Sequence, residues 1–236
     1  MRRLTVALDA LAALRDAAGV QDADLCAAAI LVELAGADGV SLSLAEEGPG
    51  PGEDDVRELR RVARGFELRM APTQPLTKLA LEVRPERVVL ASLERDERGS
   101  GAPLDFRAWG ASLAPVARTL LEAGIPVAAL VRPEPEAVKA AHAADLSGVD
   151  LWTAAVVDLP GKERAAALER LGDAARLAAK LRLDVAVAGG LGPRTLPDVL
   201  GAAPVAERVV VGRGVAARAL LVGLDRAIRD LRECLG

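Results

Sequence analysis

Four carboxylates stand where proton transfer could be organised: Asp9, Glu46, Glu47 and Asp150. Each lies within or just beyond a short apolar run. A carboxylate works as a general acid or base when its surroundings move its pKa toward the working pH. Two glycine-rich turns, Ala188-Gly189-Gly190-Leu191-Gly192 and Val211-Gly212-Arg213-Gly214, each follow an apolar run. At a strand-to-helix junction such a turn presents backbone N–H groups to a phosphate. The alternative is a tight turn that needs glycine for its own sake. Gly189, Gly190, Gly212, Arg213 and Gly214 are therefore the candidate phosphate contacts, and a small phosphorylated metabolite is the ligand they would take. Arg69 is the expected partner of Asp150, because buried charges need partners. The oxygens of Asp9, Glu46 and Asp150 would suit magnesium. Their spacing matches no metal-site pattern, so neither a metal nor a cofactor is expected. The single histidine, His142, falls in a helical pattern, which excludes a two-histidine metal site. Cys26 and Cys234 cannot build a disulfide framework or a four-thiolate zinc site.

The elements that position these residues alternate regularly. Candidate strands are Leu4–Asp9, Val40–Leu44, Phe66–Met70, Val88–Ala91, Val127–Val131, Val149–Thr153, Val185–Ala188 and Val209–Val211. Between them apolar residues recur three and four apart, which reads as amphipathic helix. Clear helices are Asp24–Leu34, Asp54–Ala63, Leu113–Ala123, Pro135–Ala144 and Lys162–Leu181, with a final one from about Val215 to Leu235. About eight strand–helix units in a chain of 236 residues is the count of a (β/α)8 barrel. The near-continuous apolar strands fit a sheet covered on both faces. No linker divides the chain, so residues 1–236 are read as one TIM-barrel domain. Strand ends then gather the candidates at the barrel's C-terminal mouth. The loops 46–55 and 94–103 would rim it.

Composition removes several classes of function. Thirty basic against 34 acidic residues give a formal net charge of -4, without the concentrated basic face of a nucleic-acid binder. Two tryptophans, two phenylalanines and no tyrosine leave little for base stacking. No apolar run approaches the roughly 18 to 20 residues that span a bilayer. Asp9 breaks the opening run too early for a signal peptide. The expectation is a cytoplasmic protein with no membrane and no nucleic-acid partner.

A set of colinear segments then resembles a known family. They are Val6-Ala7-Leu8-Asp9-Ala10-Leu11-Ala12-Ala13-Leu14-Arg15, Ala35-Gly36-Ala37-Asp38-Gly39-Val40, Asp55-Val56-Arg57, Met70-Ala71, Leu104-Asp105, Ala123-Gly124-Ile125-Pro126-Val127, Gly190-Leu191 and Val210-Val211-Gly212-Arg213. Their order is similar to that of pyridoxine 5'-phosphate synthase, the barrel enzyme of vitamin B6 synthesis, through essentially the whole chain. The resemblance implies condensation of an amino-ketone phosphate with a deoxyxylulose phosphate, with loss of water and phosphate. It also implies a homo-oligomer, because the family packs barrels through outer helices.

The side chains that such chemistry would need are the ones that differ. The family's first strand reads Asn-x-Asp-His, and here it reads Ala7-Leu8-Asp9-Ala10. Its second strand ends in His-x-Arg-Glu-Asp with a later His, where Ser43, Ala45, Glu46, Glu47 and Gly50 stand here. A glutamate before Met-Ala becomes Arg69. Glu-x-His-Thr-Gly becomes Asp150-Leu151-Trp152-Thr153-Ala154, and Asn-Ala-Gly-His-Gly-Leu becomes Ala186-Val187-Ala188-Gly189-Gly190-Leu191. Acid–base groups are each worth roughly a hundred- to ten-thousand-fold in rate, and a guanidinium does not deprotonate in a protein. The expectation is a divergent, pyridoxine 5'-phosphate synthase-like protein without the ancestral synthase activity, a pseudoenzyme with a ligand-binding, regulatory or assembly role. The alternative is an active enzyme, of vitamin B6 synthesis or of another phospho-sugar or amino-ketone reaction, with a remodelled site.

Overall fold

Short, mainly apolar runs between glycine- and proline-rich turns make strands. In the structure, a computed structural model that describes residues 1–19, 22–45, 50–92 and 102–235, they form eight parallel strands. These are β1 (Arg3–Ala7), β2 (Gly39–Leu44), β3 (Phe66–Met70), β4 (Arg87–Leu90), β5 (Val127–Val131), β6 (Gly148–Trp152), β7 (Asp184–Ala188) and β8 (Arg208–Val211). The strands pair in sequence order, and β8 closes on β1 through the register Thr5 to Val210 and Val6 to Val211. The chain is a single (β/α)8 barrel.

The helices are α1 (Asp9–Ala18), α2 (Leu25–Leu34), α3 (Glu53–Val62), α4 (Gln74–Val83), α5 (Phe106–Trp109), α6 (Leu113–Glu122), α7 (Pro135–Ala143), α8 (Ala154–Val157), α9 (Gly161–Lys180), α10 (Leu196–Ala202), α11 (Arg213–Val222) and α12 (Leu224–Leu235). Local chemistry sets their ends. Asp24 caps α2, its Oδ1 accepting from the N–H groups of Cys26 and Ala27. Helix α3 opens on Glu53, Asp54 and Asp55 and closes on Arg60 and Arg61, complementing its dipole at both ends. The Arg15 guanidinium holds both oxygens of Asp55, at 2.6 and 3.0 Å. That clip ties α1 to α3 and keeps the Asp55 carboxyl below its usual range, Arg15 outweighing the effect of burial.

One expected element differs. The single helix expected from about Val215 to Leu235 is two helices. Gly223 adopts φ +82°, and the chain turns there between α11 and α12. Both pieces keep an apolar period, so the pattern ran through the break. The short helical segment around residues 106–109 follows Asp105, which caps it through Arg107 and Ala108.

Two apolar compartments result. The larger lies between strands and helices and holds Phe66, Leu68, Leu120, Leu171 and Ile228, among others. The smaller lies inside the barrel toward its mouth: Val89, Ala91, Leu130, Ala188 and Val210, with Ala7 and Trp152 packed against them. Below it the interior is charged. Glu67, Arg87 and Asp150 are buried there. The Arg87 guanidinium lies 2.8 Å from Asp150 and 3.6 Å from Glu67. Burial works against the charge on Arg87, but Asp150 and Glu67 outweigh it and hold its pKa above the usual value.

Removing one member of a buried ion cluster leaves the others uncompensated, which costs about 3–5 kcal/mol. Asp150→Asn is expected to lose that much stability in a urea titration. Asp173→Asn, which breaks the exposed pair with Arg176, should stay within about 0.5 kcal/mol of the unmodified protein.

Candidate functional site

The C-terminal ends of the strands gather most of the described candidates, and β1 supplies the first. Asp9 follows it directly as the opening residue of α1. Its Oδ1 accepts a 2.9 Å hydrogen bond from the Ser43 N–H at the end of β2. Half-buried at the rim, Asp9 is the described candidate carboxylate that remains near solvent. Glu46 and Glu47 lie outside the described residues.

Asp150 sits lower, wholly buried at the middle of β6. The expected partnership with Arg69 is present, at 3.7 Å, and Arg87 is closer. Two guanidiniums therefore hold this carboxylate, which serves as a counter-ion inside the barrel. Arg69 lies on β3, opposite Ser43 on one side and Val89 on the other. It reaches across to β6 and is 12% exposed at its side chain. Its Nε is buried and has no hydrogen-bond partner.

Sequence reasoning missed the rest of this cluster. Glu67 accepts from Thr5 Oγ1 at 3.0 Å and pairs with both Arg87 and Arg208. The signal was available in the alternation of a strand. Glu67 and Arg69 are two residues apart on β3, so they share one face. Reading β3 and β4 as plain apolar runs hid it.

The strand-seven turn is shaped by its neighbour on β6. Trp152 ends β6 and packs into the upper apolar cluster, with the Arg132 guanidinium 5.5 Å from its ring centroid. Its Nε1 is buried without a hydrogen-bond partner. Gly189 has φ +102°, and a Cβ there would lie 3.1 Å from Trp152 Cδ1 and 3.2 Å from Nε1. Thr153 Oγ1 donates to the carbonyls of Ala188 and Gly189, tying the end of β6 to this turn. Gly190 has φ +69°, and a Cβ there would meet Val157 at 2.6 Å.

The strand-eight turn is as tight. Gly212 precedes Arg213, which opens α11, and no side chain caps that helix. A Cβ on Gly214 would meet the Leu191 carbonyl oxygen at 2.2 Å. Gly214 thus lets the β7 and β8 turns touch, which is what a two-loop clamp requires and also what close packing requires. His142 is on the exposed surface of α7, away from the mouth. Cys26 and Cys234 are half-buried free thiols, and burial raises the pKa of each. Among the described residues no three histidine, cysteine, aspartate or glutamate side chains gather to hold a metal ion.

Comparison with known proteins places this geometry. Residues 4–236 match the family model described as pyridoxal phosphate biosynthesis protein PdxJ. A pyridoxine 5'-phosphate synthase of Desulfatibacillum aliphaticivorans is 36% identical over 232 residues, covering 98% of this chain and 97% of that protein. One from Geobacter metallireducens is 34% identical, covering 100% and 99%. Among solved structures, thiamine phosphate pyrophosphorylase from Pyrococcus furiosus superposes with a TM-score of 0.65 at 14% identity, covering 98% of this chain and 94% of that one. Phosphoribosyl anthranilate isomerase from Thermotoga maritima gives 0.64 at 14%, covering 99% and 98%. Those two likenesses concern the fold alone.

The contact between Trp152 and Gly189 has a measurable consequence. Gly189→Ala should cost about 1–3 kcal/mol, from its positive φ and the crowded indole. In a double-mutant cycle with Trp152→Ala, urea titrations should show a coupling of about 0.5 kcal/mol or more. Additive effects would mean that the two residues do not constrain each other.

Proposed function

The chain belongs to the family of the pyridoxal phosphate biosynthesis protein PdxJ; within that family, we propose that it keeps the barrel of a pyridoxine 5'-phosphate synthase and has given up the synthase reaction, acting as a ligand-binding, regulatory or assembly protein. One observation carries this reading. Where the resemblance calls for a glutamate that moves protons, the Arg69 guanidinium sits 3.7 Å from a fully buried Asp150. A guanidinium carries its charge at every working pH and cannot serve as a base. Asp150 in turn is engaged by two arginines. Around them Trp152 and Gly189 occupy the places where the resemblance calls for imidazoles.

The second reading, an enzyme with a remodelled site, rests on Asp9. Its carboxylate is at the rim, with Oδ1 on the Ser43 N–H and no hydrogen bond to Oδ2 among the described residues. The remnant phosphate clamp at Gly189, Gly190, Gly212, Arg213 and Gly214 is compatible with both readings, because backbone amides do not depend on the replaced side chains.

Purified protein given an amino-ketone phosphate and deoxyxylulose phosphate should release no phosphate above background. Arg69→Glu alone should not restore release, since catalytic groups that act as a unit are strongly non-additive. Turnover of about 1 per second or faster by the unmodified protein would overturn this reading. Asp9→Asn would then be the first variant to examine.

Assembly with further copies of the chain belongs to the same reading. Leu220 and Leu221 on α11 are each 80% exposed, and Leu14 on α1 is half exposed. Between these helices lies an apolar cavity of about 520 Å³. Apolar surface of this kind on a folded protein marks an interface. Light scattering at micromolar concentration should give an oligomer, and Leu220→Glu with Leu221→Glu should shift it toward the monomer. A monomer from the unmodified chain would refute the proposal.

A further inference from the structure

The charged groups inside the barrel form a ladder of alternating sign. From the N-terminal end of the barrel toward the mouth it runs Arg208, Glu67, Arg87, Asp150, Arg69. Each rung touches the next: Arg208 pairs with Glu67, Glu67 lies 3.6 Å from Arg87, Arg87 2.8 Å from Asp150, and Asp150 3.7 Å from Arg69. Three guanidiniums face two carboxylates within the ladder, and at its N-terminal end Asp184 and Glu207 line the same cavity as Arg87 and Arg208. Arg87 and Asp150 have charged neighbours on both sides. Arg69, the last rung at the mouth, has one, at 3.7 Å, the longest step of the ladder.

Two unsatisfied donors lie at the same end, while Arg87 Nη1 and Nη2, in the middle of the ladder, also lack hydrogen-bond partners. Arg69 Nε and Trp152 Nε1 are both buried and without a hydrogen-bond partner. Both are N–H groups that can only donate. Asp150 is two residues before Trp152 on β6, so the guanidinium that reaches Asp150 reaches the strand that carries the indole. Arg132 adds a further positive charge above that ring. Asp9, at the rim, spends Oδ1 on the Ser43 N–H and makes no ion pair within 4.0 Å among the described residues. A buried donor left unmatched is costly, and the next step in the alternation is a negative group.

We propose that the barrel mouth binds the oxyanion head of a small metabolite, a carboxylate or a phosphate ester, with the Arg69 guanidinium as its anchor and the Trp152 indole beside it. A planar fork of N–H donors suits either head group. The site stands on side chains of β3 and β6, and is distinct from the glycine turns after β7 and β8. The inference rests on the reading that the synthase reaction has been given up, since it uses Arg69 to bind where the resemblance calls for a group that moves protons.

The chain has two tryptophans and no tyrosine, so Trp109→Phe leaves Trp152 as the sole tryptophan emitter. Full-length protein with that change is titrated with inorganic phosphate and, separately, with acetate, each against potassium chloride at matched ionic strength. A saturable change in Trp152 emission is expected with at least one oxyanion and not with chloride; which one responds identifies the head group. Arg69→Met should weaken it about tenfold or more. Arg176→Gln, on the exposed surface of α9, should leave it within about twofold. If Arg69→Met does not fold, Arg69→Lys decides: it keeps the charge but lacks the fork, and binding should weaken several-fold. Unchanged binding in the Arg69 variant, or no saturable response to either oxyanion, would overturn the inference. Phosphate binding seen by calorimetry that survives Arg69→Met but falls in Arg213→Gln would also overturn it, while leaving the proposed function standing on the glycine turns. Failure of the proposed function itself would appear separately, as phosphate release from the two synthase substrates.

Discussion

The Asp150 carboxylate, wholly buried between two guanidiniums, is the constraint on which the interior of this barrel depends. A barrel of this type usually fills its centre with layers of branched apolar side chains. Here the lower layers are ionic, and the inward positions beside them are small: Ser41, Ala128 and Ala186 are all buried. Small neighbours leave the volume that long arginine side chains need. The ionic rungs also fix one another. With Asp150 in place, Arg87 and Arg69 each have a carboxylate to face, and Glu67 anchors the opposite end through Thr5 and Arg208.

That interior reaches the mouth through Trp152. The indole caps the small apolar cluster above the ions and takes the space beside Gly189. A larger residue at 189 would have to share that space with the ring. Arg69, Trp152 and Gly189 are thus physically linked. One supplies a cation to Asp150, one covers it, and one makes room for the cover.

Much of the fold was legible in the sequence. Strand β5 over Val127–Val131 coincides with its apolar run, because a strand buried on both faces leaves an uninterrupted signal. The break at Gly223 was not legible, since the helical period continues across it. The site was readable in part. The pairing of Arg69 with Asp150 followed from the rule that buried charges find partners. Arg87 fell just outside the expected strand Val88–Ala91, and Glu67 lay inside a run read as apolar. Barrel closure, which brings β3, β4, β6 and β8 around one axis, turns both inward. Whether a glycine turn binds phosphate or simply packs is not written in residue type, and Gly214 against the Leu191 carbonyl shows how close packing alone demands glycine.

The two ends of the ionic ladder differ in how their last guanidinium is satisfied. At the N-terminal face Arg208 borders an open cavity of about 690 Å³ that also receives Asp184 and Glu207. Water and acidic neighbours there can balance a guanidinium at little cost, and a surface pair is worth little either way. At the mouth Arg69 stands between Ser43 and Val89 and points at Asp150, with its Nε enclosed. The same charge is less screened there, because effective permittivity falls with burial. With Arg208 balanced at the N-terminal face, Glu67, Arg87, Asp150 and Arg69 match in charge, and what distinguishes the mouth is that Arg69 has one carboxylate, at 3.7 Å, and an enclosed Nε without a hydrogen-bond partner. The polarity of the interior follows from which strands carry the ionic rungs.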